Sequence, residues 1–103
     1  MSKPGERTVR AAMTQTVNAY AGMPATVNDL GSLAVNLDAV RDANLHHHAE
    51  LIGHAAGEGA QIIGLGELFT GPYFALEQRE FWRGMAESAT SGPTVCFLQE
   101  LAE

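Results

Sequence analysis

With 103 residues and a formal charge of −6, the chain has room for one small domain or for part of a larger one. Its six basic residues are scattered at Lys3, Arg7, Arg10, Arg41, Arg79 and Arg83, so a phosphate backbone would be repelled rather than gripped, which argues against nucleic acid as a partner. No apolar run reaches the roughly 18 residues a membrane span needs, Met1–Arg10 lacks the apolar stretch of a secretory signal, and the single Cys96 fits a reducing, cytoplasmic setting.

Residues 1–7, polar and holding Pro4 and Gly5, read as a disordered lead-in to a unit covering 8–103. Thr8 to Val17 is β-branched and roughly alternating, which predicts a strand, and 18–26 with Gly22 and Pro24 predicts a loop. From Val27 the period changes. Leu30, Leu33, Leu37, Val40, Asn44, His48, Leu51 and Ala55 follow the spacing of one helical face, as one long helix or two abutting ones, with Asn28, Asp29 and Asn36 as candidate caps. Gly57-Glu58-Gly59 ends that face with a glycine free to turn left-handed. Ala60 to Leu65 is a short apolar run and predicts a buried strand, giving an α/β chain whose β-α-β unit is parallel and right-handed. A loop over 67–75 follows, then a helix over 76–89 with Phe81, Met85 and Ala89 on one side. Pro93 opens a last helix whose inward face is Val95, Leu98, Leu101 and Ala102, and the pattern runs to Glu103 without a stop signal, as in a truncated domain.

The stretch QIIGLGELFTGPYF, residues 61–74, is the strongest candidate for chemistry. A carboxylate just past the end of a buried strand stands where α/β folds place their ligands. Leu68, Phe69, Tyr73 and Phe74 would partly desolvate Glu67 and lift its carboxyl toward the range useful for proton transfer. The bland alternative is a capping or solvated glutamate. Tyr73 reads equally as a pocket residue or a core aromatic. Gly64-Leu65-Gly66 is no dinucleotide loop, because Phe69 stands where the third glycine would fall.

Successive helical residues turn by about 100°. His46, His47 and His48 therefore cannot converge on one ion, and His47, Glu50 and His54 read as a solvated face, so no metal site is expected. Asn44 and His48 fall on the apolar face and read as a satisfied core pair. Cys96, in the first turn of the last helix, reads as a small core residue.

The order NLHHHAELIGHAAGEGAQIIGLGELFTGPYF resembles the opening of the nitrilase superfamily of carbon–nitrogen hydrolases, and VRAAMTQ resembles that family's first strand with its closing Gln15. The stretch PYFALEQREFWRGMAESATSGPTVCFLQELA is similar to the branch that hydrolyses N-carbamoyl amines, among them β-ureidopropionases and N-carbamoylputrescine amidases. The resemblance covers nearly all of 8–103. It implies the N-terminal portion of an αββα sandwich and hydrolysis of a non-peptide C–N bond in an N-carbamoyl amine or amide. It also implies no metal or organic cofactor and commonly a homo-oligomer.

By that resemblance Glu67 is the general base that takes the proton of a cysteine thiol. The base is needed because a thiol of ordinary pKa, about 8.5, is mostly protonated at neutral pH. A lysine then stabilises the oxyanion. The family's lysine and cysteine follow further strands and this chain stops first; Lys3 and Cys96 stand elsewhere in the pattern, and Gly66 replaces the family's usual proline or glutamine. The chain alone is therefore expected to be inactive and poorly soluble without a partner. A non-catalytic remnant or binding module on the same scaffold is the alternative.

Overall fold

The computed structural model describes residues 7–75 and 77–103, so the expected lead-in lies, apart from Arg7, outside the described residues. Strand β1, Ala11–Met13, pairs in parallel with strand β2, Ile62–Gly64, with Ala11 opposite Ile62 and Met13 opposite Gly64. Backbone bonds extend the ladder one step each way, Gln61 N–H donating to the Arg10 carbonyl at 2.8 Å and Thr14 N–H to the Gly64 carbonyl at 3.0 Å. The expected α/β character and parallel pairing are present. The strands are shorter than 8–17 and 60–65 because each pairs only where the other offers a partner.

The connection between the strands contains a 3₁₀ helix, Val27–Val35, and then helix α1, Leu37–Gly57. Of the two arrangements the spacing allowed, the abutting one is found. Asn36, at φ −128°, leaves helical geometry and separates the two segments without a side-chain cap. The apolar face survives the break: Leu30, Leu33, Val40, Asn44 and His48 are buried and Leu37, Leu51 and Ala55 are half-buried.

Helix α1 ends as its glycines imply. Gly59 takes φ +88°, its N–H reaches the Ala56 carbonyl at 2.9 Å, and Ala60 N–H reaches the Ala55 carbonyl at 3.0 Å. This pair of bonds satisfies two of the carbonyls a helix end leaves open.

The predicted helix over 76–89 is not found. A 3₁₀ helix, Glu80–Met85, is all that forms, and Leu76 lies outside the described residues. Two local competitors explain this. Ala86 is extended at φ −65°, ψ 138°, and the Ser88 hydroxyl accepts the N–H groups of Thr90 and Ser91 in a side-chain turn. Glu87 is used to cap the next helix, its carboxylate accepting Thr94 N–H and the Thr94 hydroxyl, both at 2.6 Å. That helix, α2, runs Pro93–Ala102 with Pro93 in its first turn as expected, though none of its residues is fully buried and Leu101 is exposed. Cys96 is exposed too, so it is not a core residue.

The core sits beside the sheet rather than under it. Leu30, Leu33, Val40 and Trp82 are buried together, with Tyr20, Met23, Val27, Leu37, Phe81 and Met85 packed around them. Strand β2 is accordingly not buried as predicted: Ile62 is 61% exposed and its neighbour Met13 88%, while Ala12 and Ile63 are half-buried. A two-stranded sheet covered on one face leaves alternate residues in water. No helix among the described residues is long and apolar enough to cross a membrane.

Candidate active site

Beyond the C-terminal end of the two parallel strands the chain opens into a cleft of about 450 Å³. One wall is Thr14 to Asn18, the segment leaving β1. The other is Gly66 to Phe69 with Gly71, Pro72 and Tyr73, the segment leaving β2, and Asn44 of α1 stands between them. Open α/β sheets bind ligands at this end of their strands, because the diverging loops there leave a crevice.

Glu67 and Tyr73, both singled out in the sequence, line this one cleft, and among the described residues Glu67 is its only charged one. Their surroundings differ from expectation. Glu67 is exposed, and the side chains expected to desolvate it do not fold over it. Leu68 is 39% exposed, Phe74 40% and Tyr73 60%, while Phe74 turns away to pack against Trp82 at a ring distance of 6.0 Å. Tyr73 is thus a cleft residue, not a core aromatic. Leu68 adopts φ +53°, a left-handed conformation that a leucine enters at a cost, and Gly71 N–H closes the turn onto the Leu68 carbonyl at 3.2 Å.

Behind the cleft lies the buried polar pair that the helical spacing brought out. Asn44 is 1% exposed, and its carboxamide oxygen accepts Ala19 N–H at 2.9 Å. Its NH₂ group faces the Val40 carbonyl at 2.9 Å and, each at 3.3 Å, the Asn18 side-chain oxygen and the Thr70 carbonyl. His48, fully buried, donates Nδ1–H to the Asn44 carbonyl at 2.8 Å, and its ring lies 4.8 Å from that of Phe69. The pair is therefore only partly satisfied, because His48 Nε2 is buried with no partner among the described residues; the Thr14 hydroxyl is likewise buried without one.

His47 departs from the solvated face expected of it. It is half-buried, with Nε2 2.6 Å from the Thr16 hydroxyl; that hydroxyl donates to the Val17 carbonyl at 3.0 Å, so the imidazole N–H is the donor to it. Glu50 and His54 do face solvent, and no group of three metal-ligating side chains is found among the described residues.

The wall from Thr14 to Asn18 was missed as a site, apart from Gln15 as the strand's closing residue. The signal that found Glu67 applies to it equally: parallel strands put both of their C-terminal ends on the same side.

A small α/β unit with a carboxylate at the exit of its second parallel strand is the class of structure described so far. The family model for carbon-nitrogen hydrolases matches residues 19–103. The chain belongs to that family, and with it to the nitrilase superfamily. The match begins after β1, so the likeness of the first strand lies outside it. No curated protein and no solved structure matches the chain.

Proposed function

We propose that this chain carries the general base and one side of the substrate cleft of an enzyme that hydrolyses a non-peptide carbon–nitrogen bond. The substrate class we infer is an N-carbamoyl amine or a simple amide, as in the β-ureidopropionase and N-carbamoylputrescine amidase branch. The observation that carries the proposal is the position of Glu67: in the family-matched region, at the exit of β2, and the one charged group among the described residues of the cleft. In this reading Glu67 takes the proton of a thiol, the thiolate attacks the carbonyl carbon, and the C–N bond breaks as that proton passes to the departing amine or ammonia. A lysine holds the oxyanion, and water then releases the acid. Tyr73 borders the substrate. No cofactor is required.

Among the described residues the cleft's lining contains neither lysine nor cysteine, and in this reading both reach it from outside that lining. Residues 8–103 are then the N-terminal part of an αββα domain, cytoplasmic and homo-oligomeric in its complete form. The second reading is a scaffold that keeps the β-α-β unit without the chemistry.

The test is to express everything the gene's reading frame encodes and to measure ammonia release from N-carbamoyl-β-alanine and from a panel of N-carbamoyl amines and short amides. Turnover of a member of the panel supports the hydrolase. A frame without further lysine and cysteine, whose product releases no ammonia, supports the scaffold.

A further inference from the structure

We propose that Asn44 is the positioning residue for Glu67, setting through one buried carboxamide both the course of the turn that carries the carboxylate and the separation of the two cleft walls. The proposal rests on the reading of Glu67 as the base. Glu67 is exposed, so the point from which its side chain reaches into the cleft is set by its backbone. That backbone is fixed at two points. Upstream, the Gly64 carbonyl is held by Thr14 N–H at 3.0 Å; downstream, the Thr70 carbonyl is held by Asn44 at 3.3 Å. Between them the chain passes through the left-handed Leu68, a conformation that persists only where its surroundings impose it.

The same carboxamide holds the opposite wall. Its oxygen accepts Ala19 N–H at 2.9 Å, and its NH₂ reaches the Asn18 oxygen, which in turn accepts Tyr20 N–H at 3.0 Å. Two N–H protons face three acceptors; the nearer Val40 carbonyl takes one, and Asn18 and Thr70 share the other. Asn44 thus couples the walls directly. One turn further along α1, His48 meets Phe69, the residue before Thr70, so successive residues of the stripe grip successive residues of the turn. A residue that merely filled the core would not need an acceptor on one wall and a donor on the other.

The experiment uses the protein from the complete reading frame and the variant Asn44→Ser. A serine hydroxyl can bond the carbonyl four residues back, here Val40, but is too short to serve Thr70 and Ala19 together. Expected is a fall in kcat on the order of 10²-fold with KM within about threefold of wild type, because displacement of a catalytic group by about an ångström costs that much. In a Glu67→Gln background the same change should alter the residual rate by less than about threefold, since the group it acts through is already lost. Equal losses in both backgrounds, or an unchanged kcat, overturn the proposal.

Amide hydrogen exchange supplies a readout independent of turnover. Asn44→Ser should speed exchange at Ala19 and Gly71 by tenfold or more while leaving residues 50–57 of α1 unchanged, and exchange that stays the same at Ala19 and Gly71 overturns it. If Asn44→Ser shows this exchange pattern while the wild-type protein hydrolyses nothing, Glu67 is refuted as a base and Asn44 stands as the coupler of the two walls.

Discussion

The imidazole of His48 and the ring of Phe69 lie 4.8 Å apart at an interplanar angle of 58°, joining the buried stripe of α1 to the turn that presents Glu67. Phe69 is half-buried and His48 fully so, and aromatic contacts of this tilted kind contribute beyond the area they cover. Phe69→Ala should therefore destabilise the fold by about 2 to 3 kcal/mol, toward the low end of phenylalanine truncations because part of the ring is already wet. Phe69→Leu should lose about half as much. Urea unfolding of the two variants measures it; equal stability to wild type would show that the contact carries no energy.

At the end of α1, Gly59 holds φ +88°, and a Cβ there would also lie 3.3 Å from Arg10 Nη1. Gly59→Ala should cost about 1 kcal/mol, since alanine must enter the left-handed region that glycine occupies freely. Gly57→Ala, whose Cβ would meet nothing within 4 Å, should instead be neutral or slightly stabilising. The difference between the two unfolding midpoints is the measurement.

The Glu87 carboxylate caps α2 through two bonds of 2.6 Å to Thr94. Negative charge at a helix N-terminus is favourable and a lost cap costs about 1 kcal/mol. Glu87→Ala should lose about that much and Glu87→Gln less, because the amide oxygen still accepts one bond. Circular dichroism during denaturation reads both. A Glu87→Ala chain as stable as wild type would show that the cap is replaced by water.

These relationships separate what was legible in the sequence from what was not. Gly59, Pro93 and the Leu30-to-Ala55 spacing each encode structure within a few residues of themselves, and all three are realised. The parallel strand pair followed from the order strand, helix, glycine stop, apolar run. The region 76–89 departs from the helical pattern because side-chain bonds compete with the helix there: Glu87 serves Thr94 seven residues on, and Ser88 closes a turn onto Ser91.

The surroundings of Glu67 were misread for a related reason. Apolar residues near it in sequence were expected to enclose it, yet Phe74 joins Trp82, and Tyr73 and Leu68 remain exposed. Asn44 was legible as a buried polar residue on the stripe, but its bonds to Ala19 and Thr70 span about 25 positions in either direction and no local spacing announces them.

The turn at Leu68 makes a prediction of its own. A β-branched residue tolerates φ +53° less well than leucine, so Leu68→Val should destabilise the fold by about 1 kcal/mol or more, while Leu68→Gly should be near neutral as relieved strain offsets lost contact and added chain entropy. Thermal melts of the pair test it; Leu68→Val melting above Leu68→Gly would contradict the left-handed assignment.

In the function proposed above, Glu67 takes the thiol's proton. The most direct test of that step is kcat/KM for ammonia release by the protein of the complete reading frame, wild type against Glu67→Gln, on the best substrate of the panel. Gln keeps the shape of the side chain and cannot act as the base, so the predicted result is a loss of about 10²- to 10⁴-fold with an unchanged circular dichroism spectrum. A Glu67→Gln enzyme within threefold of wild type would contradict it and leave Glu67 a solvated residue at the mouth of an unused cleft.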